Sequence, residues 1–202
     1  MTKRSVGRAA LAAGAALMLA GNARGATVVL PRPGQVGIAA FGEYGTLLKR
    51  GEIGDDFRSG AGLGMRLRYR MRYERAIGLT FERQGFDPRV KTSVDSLPKK
   101  LTLMCSGFDV YQMFGTKTRT VKMLSAGVGL AQAQQKLNDN EVKLRGLGTG
   151  DGFFVSVGGE IEYFFWQTWA VDLSLRYAAV LIHESTNHDV QVAAGLIFYA
   201  GY

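Results

Sequence analysis

Residues 63–74 read LGMRLRYRMRYE, so that Arg66, Arg68, Arg70 and Arg72 alternate without a break with Met65, Leu67, Tyr69, Met71 and Tyr73. Strict period two is the signature of a β-strand, because successive side chains leave opposite faces of the pleat. One face of this strand is therefore apolar and the other carries a row of positive charges. A row of like charges without partners costs energy on a surface and far more in an interior. Any fold adopted by the chain has to place acidic side chains opposite that row.

The same period recurs along the chain. Segments of about ten residues alternate at QVGIAAFGEY, at the arginine stretch, and at AIGLTFERQ, LTLMCSGFDVYQMF and VKMLSAGVGLAQ. They continue at FFVSVGGEIEYFF, AVDLSLRYAAVL and DVQVAAGLIFYAGY, which makes eight strands in all. Their connections alternate in length. Short spacers lie near 74–76, 115–120 and 166–169, and long polar ones near 46–60, 85–100, 132–152 and 183–188. If the strands run up and down, every long loop falls at one end of a barrel, and every short turn, with both termini, at the other. That is the layout of an outer-membrane barrel, which joins its strands by short periplasmic turns and longer outer loops. The expected fold is all-β, an eight-stranded antiparallel up-and-down transmembrane β-barrel.

The first 25 residues read as a secretory signal rather than as part of the fold. Lys3, Arg4 and Arg8 precede an apolar run from Ala9 to Gly21, which at 13 residues is shorter than the roughly 20 needed to span a bilayer. Small residues place the cleavage after Ala23 or Gly25, giving a signal peptide over 1–25 and a barrel domain over 26–202. Cutting after Gly25 removes Lys3, Arg4, Arg8 and Arg24 and no acidic residue, so the formal charge falls from +8 to +4. Outside 66–72 the remaining basic residues are spread, so nucleic acid is not an expected partner. The single cysteine, Cys105, excludes an internal disulfide framework and lies too far from the cleavage region to anchor a lipoprotein. No metal-ligand spacing is present, the glycine-rich stretches 125–131 and 146–152 do not precede helices as phosphate loops do, and no cofactor is expected.

Period two does not say which face is inside. A soluble ligand-binding barrel turns its apolar face inward, and a membrane barrel turns it to lipid. Three features favour the membrane. Glu82, Glu160, Glu162 and Asp172, with Asp109 and Glu43, share the parity that lets them face Arg66, Arg68, Arg70, Arg72 and Arg176 in one lumen charge network, and Gly127, Gly129 and Gly158 leave room for it. On the lipid side each arginine would cost roughly 2–4 kcal/mol near the midplane. Aromatic residues gather at two levels: Tyr73, Phe114, Phe165, Trp166, Trp169 and Tyr202 toward the short turns, and Tyr44, Phe86, Phe153 and Tyr177 toward the long loops. Bilayer interfaces select such girdles. The third feature is the placement of all long loops at one end. Within the lumen the arginines have two readings, the lining of an anion-selective pore or a plug of mutual ion pairs. The narrow bore of eight strands favours the plug.

The stretch GGEIEYFFWQTWAVDLSLRY (158–177) and the ending AAGLIFYAGY resemble the OmpA/OmpX-type eight-stranded outer-membrane β-barrel proteins, and the resemblance spans 34–202. It implies residence in the cell outer membrane and contact with outer-membrane lipids and lipopolysaccharide. It further implies insertion by the barrel-assembly machinery, a monomeric state, and a structural or surface-interaction role exercised through four long extracellular loops toward an unidentified surface ligand. Basic loop residues such as Lys49, Arg50, Arg89, Lys91, Lys99, Lys100, Lys143 and Arg145 suit lipopolysaccharide phosphates. A narrow solute pore is the alternative. A second alternative is a lipid A-modifying hydrolase, because LIHESTNHD (181–189) resembles the His-x-Ser region of the lipid A deacylases in His183 and Ser185. No glutamate follows position 184, so the orienting acid would be Asp189, and a triad needs its base held within hydrogen-bond reach. With Leu181 and Val190 as a cross-strand pair, 183–188 would form the turn, leaving His183 and Ser185 on an exposed tip. The expectation is a protein that is not an enzyme.

Overall fold

The computed structural model describes residues 32–49, 52–89, 100–137, 140–142, 150–182 and 185–200. The expected signal peptide and Tyr202 lie outside the described residues. The elements are β1 (Val36–Leu47), α1 (Glu52–Asp56), β2 (Phe57–Arg72), β3 (Arg75–Pro88), β4 (Lys100–Phe114) and β5 (Thr120–Leu137). They are followed by β6 (Asn140–Val142), β7 (Gly150–Phe164), β8 (Trp169–Ile182) and β9 (Ser185–Ala200). Each long strand pairs antiparallel with its neighbours in the order β4-β3-β2-β1-β9-β8-β7-β5, and β4 pairs with β5 to close the ring. Eight strands form the wall, as the alternation predicts, and β6 is a short addition on the loop end of β5. Closure leaves no strand edge unpaired in the wall, which is what permits a sheet with an apolar outer surface.

The pleat sorts the side chains. Leu63, Met65, Leu124, Leu130, Phe153 and Leu175 stand outward, with Leu63 74% exposed. The intervening positions include the buried side chains of Arg66, Arg68, Arg70, Glu82, Glu160, Glu162, Asp172 and Arg176. The barrel is thus apolar outside and charged within, the reverse of a soluble ligand-binding barrel.

The interior is layered. At the loop end Leu47, Phe86, Leu101, Leu103, Phe154, Val180 and Ile182 pack with Ile53 of α1 and with Phe57. At the turn end Ala39, Tyr111, Met113, Met123, Phe164, Ile197 and Tyr199 form a second apolar cluster. The charged side chains occupy the space between.

The structure corrects the expected connections at one hairpin. Ile182 pairs with Ser185 and Leu181 with Thr186, so β8 and β9 continue to within two residues of each other and 183–188 is not the turn. Val190 is paired with Tyr177, not with Leu181. Polar residues at 185–188 suggest a loop, but in a strand that rises beyond the apolar belt they are simply solvated or buried strand positions.

Candidate functional site

Arg68 is the centre of the interior. Its guanidinium donates to Glu160 through Nη2 and to Glu162 through Nη1. Both carboxylates come from β7 on the far side of the barrel. Arg66 Nη1 lies 3.1 Å from Glu160 Oε2 and Arg70 Nη2 3.2 Å from Glu162 Oε2, so three successive inward arginines of β2 meet two successive inward glutamates of β7. Tyr199 Oη donates to Glu162 Oε1 at 2.7 Å, and Asp172 stands 3.7 Å from Arg68 Nη2. The arginines also rest on aromatic faces: Arg68 over Tyr111 at 4.3 Å, Arg66 over Phe41 at 4.9 Å and Arg70 over Tyr199 at 5.0 Å. Planar guanidinium groups suit such stacking. Thr80 joins the set by donating to Asp109 and accepting from Arg66 Nε at 3.3 Å.

A second group lies nearer the loops. Arg176 pairs with Glu82, and its Nε donates to Gln191 Oε1 at 3.1 Å. Gln191 Nε2 in turn donates to Asp189 Oδ2 at 2.8 Å. Among the described residues the buried acids number seven: Glu43, Glu82, Asp109, Glu160, Glu162, Asp172 and Asp189. They face the four buried arginines Arg66, Arg68, Arg70 and Arg176. Arginine is therefore matched and outnumbered at this level.

Arg72, expected as the fourth member of the row, is exposed. The β2–β3 register shifts between Arg70 and Arg72, which carries the last arginine out of the lumen to the rim. Phe86, expected among the loop-end interface aromatics, is instead fully buried in the loop-end cluster. Tyr73, Phe165, Trp166 and Trp169 are exposed at the turn end, with Trp166 66% accessible and Trp169 5.0 Å from Phe198 between ring centroids.

At the loop end α1 folds across the mouth of the barrel. Asn187 Oδ1 accepts from Ile53 N at 2.9 Å and Gly54 N at 3.3 Å. Arg89, expected to face lipopolysaccharide, donates through Nε to Gly54 O at 2.9 Å and through Nη2 to Leu47 O at 2.8 Å. These two contacts make it a strap on the segment before β2. Sequence pattern gave no sign of this role for Asn187 or Arg89, since the contacts join positions 134 residues apart for Asn187 and 35 and 42 apart for Arg89. The other loop cations Arg50, Lys91, Lys99, Lys143 and Arg145 lie outside the described residues; Lys49 and Lys100 are exposed.

The two described hydrolase candidates, Ser185 and Asp189, are not brought together. His183 lies outside the described residues. Ser185 opens β9, whereas Asp189 is fully buried four strand positions away and engaged with Gln191. At about 3.3 Å per residue that is too far for one triad. His188 stacks on Tyr177 on the outer surface, its Nδ1 2.5 Å from the phenol oxygen. Among the described residues no group of three or more His, Cys, Asp or Glu side chains is placed to hold a metal ion.

No family model matches the chain, and no curated protein does. Solved structures do. OprG of Pseudomonas aeruginosa, an outer membrane protein, aligns over 87% of this chain and 100% of its own with a TM-score of 0.61 and 12% identity. Neisserial surface protein A aligns over 81% and 95% with a TM-score of 0.58 and 14% identity. The fold is that of the small eight-stranded outer-membrane β-barrels. Ail, the attachment invasion locus protein of Yersinia pestis, aligns over 82% of this chain and 99% of its own, with a TM-score of 0.52 and 11% identity. Within this barrel fold the exposed aromatics at the turn end and the ring of outward aliphatics occupy the positions that bilayer interfaces and hydrocarbon favour.

Proposed function

We propose that the protein is an outer-membrane barrel with a closed lumen, acting as a structural or surface-interaction element through its loop end. A secretory signal over 1–25 would deliver it, and the barrel-assembly machinery would insert it as a monomer among outer-membrane lipids and lipopolysaccharide. The inverted polarity of the wall supports the membrane setting, because an outward belt of Leu, Val, Met and Phe side chains is stable against hydrocarbon and not against water.

One observation carries the closed lumen. The charge network that spans the bore from β2 to β7 is sandwiched between two apolar clusters. An ion crossing this interior would have to disrupt buried ion pairs and pass two dewetted layers. Seven carboxylates beside four guanidinium groups also argue against anion selectivity. Function then falls to the loop end, where α1 and its straps form the described part of the outer surface. The test is planar-bilayer recording of the purified protein. No steady unitary current is expected from the native chain, and stable steps that vanish in R68A/R70A would show an open arginine-lined pore instead.

A further inference from the structure

The turn end of the barrel is divided in charge. Arg32, Arg72, Arg75, Lys117 and Lys122 are all exposed along the arc from the start of β1 to the β4–β5 turn, and Glu74 is the one acid among them in the described residues. The opposite arc, between β7 and β8, carries Phe165, Trp166 and Trp169 and no charge. None of the five cations makes an ion pair among the described residues. Arg72 and Arg75 are direct register partners across the β2–β3 turn, and like charges set opposite each other destabilise a hairpin unless an anion lies between them.

The depth of these groups identifies the anion. Arg75 stands on the outward parity of β3, two positions beyond Ile77 and four beyond Leu79; Lys122 stands likewise below Leu124 and beside the exposed Phe114, its register partner. Two strand positions are about 7 Å, so both cations end the apolar face at the level where hydrocarbon gives way to headgroups. They point sideways into that layer, where a soluble partner approaching the turns from below would not meet them. Guanidinium and ammonium groups both donate charge-assisted hydrogen bonds to phosphate oxygens, and their charge sets a preference for an anionic headgroup.

We propose that this arc binds the phosphate of anionic phospholipid headgroups in the leaflet at the turn end, an inference that rests on the membrane setting proposed above. The test is native mass spectrometry of the protein purified from membranes in detergent, titrated with equal amounts of phosphatidylglycerol and phosphatidylethanolamine. The native protein should retain phosphatidylglycerol preferentially. The variant R72Q/R75Q/K122Q should lose about fivefold in that preference for each charge removed, and R72K/R75K, which keeps the charges, should retain it. Equal retention of the two lipids by the native protein, an unchanged preference in the glutamine variant, or loss in the lysine variant as well would each overturn the proposal. Heat-modifiable gel mobility reports the folded barrel separately. A native protein and variants that all show it but differ in no lipid preference sink the headgroup site alone, whereas a native protein recovered in the soluble fraction sinks the membrane setting and the headgroup site with it.

Discussion

Arg68 has no exposed surface and divides its guanidinium between Glu160 and Glu162. Removing it leaves two buried carboxylates close together with only Arg66 and Arg70 at their outer sides. The substitution R68M should cost about 3–5 kcal/mol, the range for breaking a buried pair by deleting one partner, measured by urea unfolding of the protein in lipid vesicles. R68M/E160Q/E162Q should regain much of that loss, because no surplus charge is then left behind. A second residue-scale constraint is Gly37, whose inward position is filled by a neighbour: a β-carbon there would stand 2.7 Å from Tyr199 Cε1 and 2.8 Å from Ile197 Cδ1. Tyr199 is the donor to Glu162, so G37V should push it off the network and cost about 1–3 kcal/mol through overpacking, with a smaller cost when Y199A is made first. The inward parity of Arg68 was legible in the sequence. The partners that cross the bore to Arg68 were not, because period two assigns a face and says nothing of which strand lies opposite.

At the level of elements the strands were legible and one connection was not. Alternation over about ten residues marked all the wall strands, since each has lipid on one side and packed side chains on the other. In the β8–β9 hairpin the alternation continues with polar residues, Asn187 inward and Thr186 and His188 outward, and reads as loop. The observed register predicts that cysteines in L181C/T186C form a disulfide on mild oxidation while those in L181C/V190C do not, judged by thiol titration of the folded protein. Register partners bring α-carbons to about 4.5–5.5 Å, inside disulfide range, and a four-residue offset does not. Cross-linking of the second pair would restore the longer turn. Equally hidden was the β2–β3 register shift beyond Arg70, which turned the expected fourth lumen arginine into a rim residue. An unbroken alternation in sequence does not reveal where the ladder itself is irregular.

For the whole molecule, the polarity of the barrel follows from a single choice of face. The arginine row needed acids, and the acids that meet it lie on β7 and β8, so closing the ring brings them together only if the apolar parity faces out. That choice ties the closed lumen, the turn-end aromatics and the cationic arc to one orientation of the sheet. The most direct measurement is the gel mobility of the outer-membrane fraction with and without boiling. A barrel with every wall edge paired resists detergent until heated, so the unboiled protein should remain compact and run faster than the boiled one. A protein recovered in the soluble fraction, or one that runs identically before and after boiling, would contradict the membrane-embedded barrel.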